Sequence, residues 1–158
     1  MSLNQVELKK IIQKAEDSCI ESGGRLTVKR KNVLMALLSS DMPQSAYEIA
    51  SYYKETFNEA IPVMSVYRML KFLVKESLVH KLSSTKKYVA CSHIACNHSH
   101  KVPQFLICDQ CHQVSEVGVQ KEIIDALQIS VENADFYLNS PELELHGVCR
   151  DCHKLSYS

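Results

Sequence analysis

Two Cys-x-x-Cys pairs constrain this chain more than any other feature. The first comprises Cys108 and Cys111, the second comprises Cys149 and Cys152, and 37 residues separate them. Four thiolates are the ligands of a closed, tetrahedral, structural zinc site. A thioredoxin-like redox motif uses a single such pair in a βαβ context. The two matched pairs therefore favour structural Zn²⁺, with an iron–sulfur cluster or a redox dithiol as the alternatives.

A second, looser group of metal donors surrounds the first pair. Its members are His80, Cys91, His93, Cys96, His98, His100 and Glu116. His80 and Cys91 with one loop histidine and Glu116 would make a four-coordinate site, in which the thiolate favours Zn²⁺ over Mn²⁺ or Mg²⁺. For any single histidine the alternative is an exposed loop residue. The group as a whole predicts a second metal site that joins the two halves of the chain.

The net charge of zero hides an uneven distribution. Residues 1–88 carry 14 Lys and Arg against 9 Asp and Glu, a net of +5, whereas residues 89–158 carry 4 against 9, a net of −5. The basic half suggests a polyanionic partner, and a pair of solvated surfaces is the alternative. With no apolar run near 18 residues and no signal-peptide pattern, we expect a cytoplasmic protein without a membrane span, in which grouped cysteines are ligands.

Four helices are predicted in the first half, from apolar residues at steps of three and four. They cover residues 5–22, 27–38, 46–58 and 65–76. Thr27 and Ser45 are the expected N-caps of the second and third helices, and Ser45 with Glu48 fits a capping box. Cys19 lies on the apolar stripe of the first helix, where a buried role is expected. The expected inward faces of the last three helices are Val28, Val33, Leu34, Leu37 and Leu38, then Ala46, Ile49, Ala50 and Tyr53, then Val66, Met69, Leu70, Leu73 and Val74.

The last two helices have the pattern of a helix-turn-helix. Residues 78–82 and 87–91 alternate like strands around a polar turn, so a hairpin follows the recognition helix, as in a winged helix. Arg68 is suited to a guanine edge, and Ser65 and Tyr67 to phosphate or a thymine methyl. The basic residues expected to contact phosphates are Arg25, Arg30, Lys81, Lys86 and Lys87.

The second half is predicted to be a small α/β unit. Strands are expected at residues 105–108, 114–117, 136–138 and 142–148, with a helix at 119–129. A unit of about 55 residues needs a metal ion or a dimer interface for stability. The fold class is α+β: a winged-helix DNA-binding domain at 1–88, a hinge and metal loop at 89–104, and a small α/β dimerisation and zinc-binding domain at 105–158.

In the order and spacing of its motifs the chain resembles the ferric uptake regulator family of bacterial metalloregulators. The motifs are Arg25-Leu26-Thr27-x-x-Arg30, Ser45-Ala46-Tyr47, Ser65-Val66-Tyr67-Arg68 and the two Cys-x-x-Cys pairs. The resemblance extends from about residue 5 to Cys152. It implies a homodimeric winged-helix repressor that binds palindromic operators when its metal is present. Ser65 stands where the family usually has threonine, and keeps the hydroxyl group.

Within this family the chain is most similar to the zinc uptake regulator branch. That similarity implies a regulatory zinc site formed by His80, Cys91, a loop histidine and Glu116. His100 is the expected loop ligand because it lies closer to the strand of the first Cys-x-x-Cys pair; His98, Cys96 and His93 are the other candidates. The iron-sensing branch has a run of His-His-Asp-His type just before that pair. This chain has Val102-Pro103-Gln104-Phe105 there, whose side chains do not bind metals.

These features predict a zinc-responsive repressor of zinc-uptake genes that is not an enzyme. We expect a homodimer with two Zn²⁺ ions per subunit, one structural and one regulatory, bound to double-stranded operator DNA. An iron-, manganese- or peroxide-responsive repressor of the same family is the nearest alternative. A zinc-ribbon or thiol-redox enzyme is more distant, and the His-x-Glu element of zinc deaminases is absent. A metal-storage or adaptor protein would not need the basic first half.

Overall fold

A computed structural model describes residues 3–92, 94, 102–139 and 142–157. The chain divides into two compact units, Met1–Asn97 and His98–Ser158. The loop candidates His93, Cys96, His98 and His100 lie outside the described residues. The expected domain limits at residues 88 and 105 stay predictions.

The first unit contains four helices close to their predicted positions. They are α1 (Gln5–Glu21), α2 (Val28–Leu38), α3 (Ala46–Phe57) and α4 (Val63–Lys75). The Thr27 side chain caps α2, and Ser45 with Glu48 forms the expected capping box of α3. Helix α4 begins two residues earlier than predicted, after Pro62, whose missing N–H group is not needed at a helix start.

A β-hairpin follows α4 directly. Its strands β1 (Val79–Leu82) and β2 (Lys87–Ala90) are antiparallel, with His80 opposite Val89. Gln44, just before α3, exchanges two backbone hydrogen bonds with Tyr88, of 3.0 Å and 2.8 Å. This bridge ties the hairpin to the start of α3, so the predicted helix-turn-helix and wing form one winged-helix unit.

The core of the first unit lies where α2, α3 and α4 pack together beneath the hairpin. Most of the predicted inward residues are buried, including Leu34, Ile49 and Leu70 at 0% exposure, and so is Cys19. The expectations for Val28 and Val74 are wrong, because these side chains are 71% and 38% exposed. The buried Leu37 is nine positions after Val28, which places the two on opposite sides of a helix with 3.6 residues per turn.

The second unit is built on a three-stranded sheet. Its strands are β3 (Pro103–Cys108), β4 (Val114–Gly118) and β5 (Leu143–Gly147), and its helices are α5 (Lys121–Glu132) and α6 (Arg150–Ser156). The central strand β3 pairs antiparallel with β4 and parallel with β5. Helix α6 was not predicted, and it places the second Cys-x-x-Cys pair at a helix start.

The predicted strand at 136–138 is wrong. These residues belong to no described helix or strand, and Phe136 and Tyr137 are 61% and 78% exposed. The aromatic residues fit a strand by propensity, but propensity alone does not place a segment in a sheet, and the described sheet consists of β4, β3 and β5. The Phe136 N–H instead donates to the Val131 carbonyl at the end of α5. Within the described residues, no helix combines the length and apolar content that a membrane crossing requires.

Candidate metal centre and nucleic-acid interface

The four paired cysteines come together in the second unit. Cys108 ends β3, Cys111 lies in the turn that follows, Cys149 is the N-cap of α6, and Cys152 lies in its first turn. All four Sγ atoms are within 4.8 Å of one another. The sheet explains how residues so far apart in sequence meet: β3 and β5 run parallel, so both pairs leave the same end of neighbouring strands.

The spacing of these sulfur atoms fits a tetrahedral zinc site. A tetrahedron with zinc–sulfur bonds of about 2.3 Å has sulfur–sulfur edges of about 3.8 Å. The Sγ atoms of Cys111 and Cys149 are 3.8 Å apart. The residues therefore fit Zn²⁺ in donor type, number and spacing.

Backbone hydrogen bonds shape both turns around the thiols. The N–H groups of Cys108 and His112 donate to the carbonyls of Gln113 and Cys108, at 3.0 Å and 2.9 Å. His112 has a positive φ of 63°, which closes the first turn. The Asp109 N–H donates to the Gly147 carbonyl at 2.8 Å and so joins this turn to the end of β5.

The thiols differ in how readily they ionise. Hydrogen bonds from the backbone N–H groups of Cys111 and Cys149 lower the pKa of Cys108 to about 6. The backbone nitrogen of Cys149 lies 3.3 Å from the Sγ atom of Cys108. Hydrogen bonding to Cys149, together with burial, raises the pKa of Cys152 to about 12. Four adjacent thiolates repel one another unless a cation compensates their charge. A divalent metal ion would supply that charge.

An imidazole–carboxylate contact borders the four thiols. The Nδ1 atom of His146, on β5, lies 3.0 Å from the Asp109 carboxylate in the first turn. Both side chains are about half exposed, at 45% and 60%. A contact in this place holds the turn between Cys108 and Cys111 against β5.

Two members of the second donor group meet in the first unit. His80 lies on β1, Cys91 follows β2 directly, and their donor atoms are within 4.8 Å of one another. The Cys91 N–H donates to the Leu78 carbonyl at 2.9 Å, which extends the hairpin pairing to this residue. The His80 Nε2 atom is buried, and Cys91 is 3% exposed. The antiparallel register of the wing is thus the reason that this imidazole and this thiol are adjacent.

Glu116, the carboxylate of the predicted regulatory set, lies in the second unit. It is half-buried on β4, opposite Phe105 in the antiparallel pairing. The predicted loop ligand His100 lies outside the described residues, as do its alternatives. Of the predicted regulatory ligands, His80 and Cys91 are therefore the two that the described residues of a single unit bring together.

The predicted DNA-reading residues lie in the first turns of α4. Tyr67 and Arg68 are exposed, and Ser65 is half-buried. Together with the start of α2, this region forms an open groove of about 530 Å³, lined by Thr27, Val28, Lys29, Arg30, Ser65, Arg68 and Met69. On the wing, Lys81 and Lys86 are exposed. Lys87 instead forms an ion pair of 3.2 Å with Glu48.

Two exposed apolar side chains on the helix-turn-helix were not predicted. Met64, in the first turn of α4, and Tyr47, in the first turn of α3, are each 66% exposed. The helical period could have indicated Met64, since it is three and four residues before Tyr67 and Arg68 and shares their face. Large apolar residues exposed singly are common on protein surfaces, so the sequence signal was weak.

Comparisons with known proteins agree on one family. The model of the ferric uptake regulator family matches residues 21–146. The zinc uptake regulation protein of Escherichia coli strain K12 is 31% identical over 150 residues, which are 95% of this chain and 85% of that protein. The holo XcZur crystal structure is 33% identical, with a TM-score of 0.77 over 90% of this chain and 96% of that chain. A zinc uptake regulator complexed with zinc and DNA is 28% identical, with a TM-score of 0.82 over 96% and 98% of the two chains.

Proposed function

The chain belongs to the ferric uptake regulator family, and we propose that it is a zinc-responsive transcriptional repressor of zinc-uptake genes. It would bind palindromic operator DNA as a zinc-loaded homodimer. The observation that carries the choice of zinc is the approach of the His80 and Cys91 donor atoms to within 4.8 Å at the end of the wing. An imidazole with a thiolate suits zinc, whereas carboxylates and water suit manganese.

Two zinc ions per subunit are proposed, with different roles. Cys108, Cys111, Cys149 and Cys152 would hold the structural ion, as their spacing supports. His80, Cys91, His100 and Glu116 would hold the regulatory ion. Donors contributed by both units would make the orientation of the DNA-reading helix depend on metal occupancy. Loss of the regulatory ion would then weaken DNA binding without unfolding either unit.

DNA recognition is assigned to the winged helix. Arg68 and Tyr67 would face the bases, with Ser65 at the edge of the groove, while Arg25, Lys81 and Lys86 would meet phosphates. All of these side chains except the half-buried Ser65 are exposed on the first unit, which supports this assignment.

The second unit is proposed to form the dimer interface. No side chain of α5 is fully buried by the described residues, and its Ile123 and Ile129 are 54% and 59% exposed. Leu106, Val117 and Leu145 on the sheet are also exposed, at 41% to 46%. Apolar surface of this extent marks an interaction site, and a second copy of the chain would cover it.

DNA binding measured against free metal tests the proposal. The metal-free full-length chain would be titrated with Zn²⁺, Mn²⁺ or Fe²⁺ at one fixed salt concentration, because affinity for DNA depends strongly on salt. The probe would be a duplex selected from a random-sequence pool by the zinc-loaded protein. We expect zinc to promote binding at the lowest free concentration. Promotion by Fe²⁺ or Mn²⁺ at lower free concentrations would favour the iron- or manganese-responsive alternative.

The Cys91→Ala variant tests the regulatory site itself. It should remove the zinc dependence of DNA binding while the protein keeps its structural zinc and its fold. Cys19→Ala is the matched control, since it also removes a buried thiol from the first unit but lies on α1. If Cys91→Ala responds to zinc as the wild type does, the regulatory role of Cys91 is wrong.

A further inference from the structure

The guanidinium group of Arg30 has two partners within the protein. Its Cζ atom lies 3.6 Å from the centroid of the Phe72 ring. Its Nη1 atom donates a hydrogen bond of 2.6 Å to the carbonyl oxygen of Arg25. Phe72 belongs to α4, the recognition helix, and Arg25 belongs to the turn between α1 and α2. One side chain thus joins that turn to the helix that would read DNA.

The same turn packs closely against the second half of α4. A Cβ atom on Gly24 would lie 3.4 Å from two atoms of the Phe72 ring and 3.3 Å from the Glu76 carboxylate. Gly23 has a positive φ of 83°, a conformation that glycine adopts at little cost. The backbone on either side of Arg25 is therefore fixed, since Leu26 is also buried at 3% exposure, while the Arg25 side chain is exposed.

The lysines beside Arg30 have different partners. Lys29 pairs with Glu59 at 3.0 Å, and Lys31 pairs with Glu16 at 2.6 Å. Neither ion pair involves the recognition helix. Of Lys29, Arg30 and Lys31, Arg30 is therefore the one whose contacts join the Arg25 backbone to α4.

A guanidinium group suits this linking role for a physical reason. It is planar, stacks on an aromatic face and still donates in its own plane to a carbonyl oxygen. A lysine ammonium carries the same charge but lacks the planar group that does both. Replacement by lysine therefore separates a role in positioning from a simple requirement for positive charge.

We propose that Arg30 is a positioning residue for DNA binding, which fixes the Arg25 backbone against Phe72 of the recognition helix so that the Arg25 side chain meets a phosphate while α4 enters the groove. This inference rests on the proposed function. It replaces the direct phosphate contact that the sequence predicted for Arg30 with an action through Arg25. Arg25 and α4 would then engage DNA as one rigid unit.

A double-mutant cycle between Arg25 and Arg30 tests the proposal. Fluorescence anisotropy with the zinc-loaded full chain and the selected duplex would give the dissociation constant at several salt concentrations. One phosphate contact contributes about 0.9 to the slope of log affinity against log salt. The homodimer carries two copies of Arg25, so we expect Arg25→Ala to lower the slope by about 1.8 and to weaken binding roughly a hundredfold, as for two lost hydrogen bonds to charged groups. Arg30→Ala, Arg30→Lys and the double variant should all match it.

Two further variants separate positioning from charge and from folding. Phe72→Leu keeps every charge and an apolar side chain, yet removes the ring beneath Arg30; it should lower the salt slope as Arg30→Ala does. Lys31→Ala removes a cation from the same turn of α2 and should leave the slope unchanged. Thermal melting of each variant identifies any that fail to fold. The two single variants Phe72→Leu and Arg30→Lys, which both keep the net charge set by Arg30 or its replacement, then distinguish positioning from charge.

Additive losses would overturn the proposal, because a double variant that loses about twice the slope of Arg25→Ala means that Arg30 contacts phosphate itself. Wild-type slope and affinity in Arg30→Lys would overturn it as well. If the wild type selects no zinc-dependent duplex, the proposed function fails. The cycle can then still be measured on a random-sequence duplex of the same length, since phosphate contacts also govern non-specific binding.

Discussion

Replacing Cys152 with serine is expected to unfold the second unit and leave the first unit folded. In the described part of the second unit, four side chains are buried: Phe105, Ile107, Cys108 and Val119. The three that are not cysteine contribute about 5–9 kcal/mol in total, at about 1.5–3 kcal/mol each. Structural zinc contributes about 10–16 kcal/mol to the folding of zinc-finger peptides. Loss of the ion thus removes more than this core can replace.

Serine nearly preserves the size of the side chain but supplies no thiolate at neutral pH, which is why the change acts on the metal and not on packing. Zinc content would be measured by mass spectrometry of the purified protein, and limited proteolysis would report folding of each unit. We expect one zinc ion fewer per chain, rapid cleavage within residues 102–157, and protection of residues 5–90.

Cys19→Ala provides the control for loss of a cysteine. Its thiol is fully buried in the first unit, so it should lower the melting temperature while zinc content and protection of the second unit stay at wild-type values. A Cys152→Ser protein with wild-type zinc content and a protease-resistant second unit would refute the structural role of this thiol.

Three further predictions concern the winged helix. Ser45→Ala removes the cap of α3 and should reduce the free energy of unfolding by about 1 kcal/mol in urea titration. Leu70→Ala opens a cavity in the core and should cost about 2–5 kcal/mol in the same assay. The Ser45 backbone N–H, with Lys87, lowers the pKa of Glu48, so this carboxylate stabilises the fold above its ordinary pKa near 4.5, and that contribution is lost as pH falls through the lowered value. Glu48→Gln should therefore flatten the fall in melting temperature between pH 6 and pH 3; an unchanged profile would contradict this.

The sequence predicted the first unit well because local signals and tertiary packing agree there. Helix periods, the Ser45 capping box and the alternating hairpin each specify the same winged helix. Val28 failed because it is the first residue of α2, with Thr27 before it and Lys29 after it, and the helical period places it opposite the buried Leu37. In the second unit, the segment at Phe136 has strand propensity, yet it pairs with none of the described strands, and the sheet is formed by β4, β3 and β5. Propensity does not specify which segments pair.

The candidate metal sites divide in the same way between what spacing reveals and what topology supplies. A Cys-x-x-Cys pair specifies a local turn, so each pair could be recognised from the sequence. That Cys108 and Cys149 meet depends on the parallel register of β3 and β5, which no local pattern contains.

The adjacency of His80 and Cys91 has a similar origin. Eleven positions separate them in the chain, and the antiparallel hairpin brings both to the same end of the wing. Cys19 on α1 has no such role, because its thiol is enclosed by apolar side chains of the core. Burial is the largest of the effects that raise the pKa of this thiol. Whether one of these cysteines can bind a metal ion therefore depends on where its strand or helix places the sulfur atom, and not on its being a cysteine.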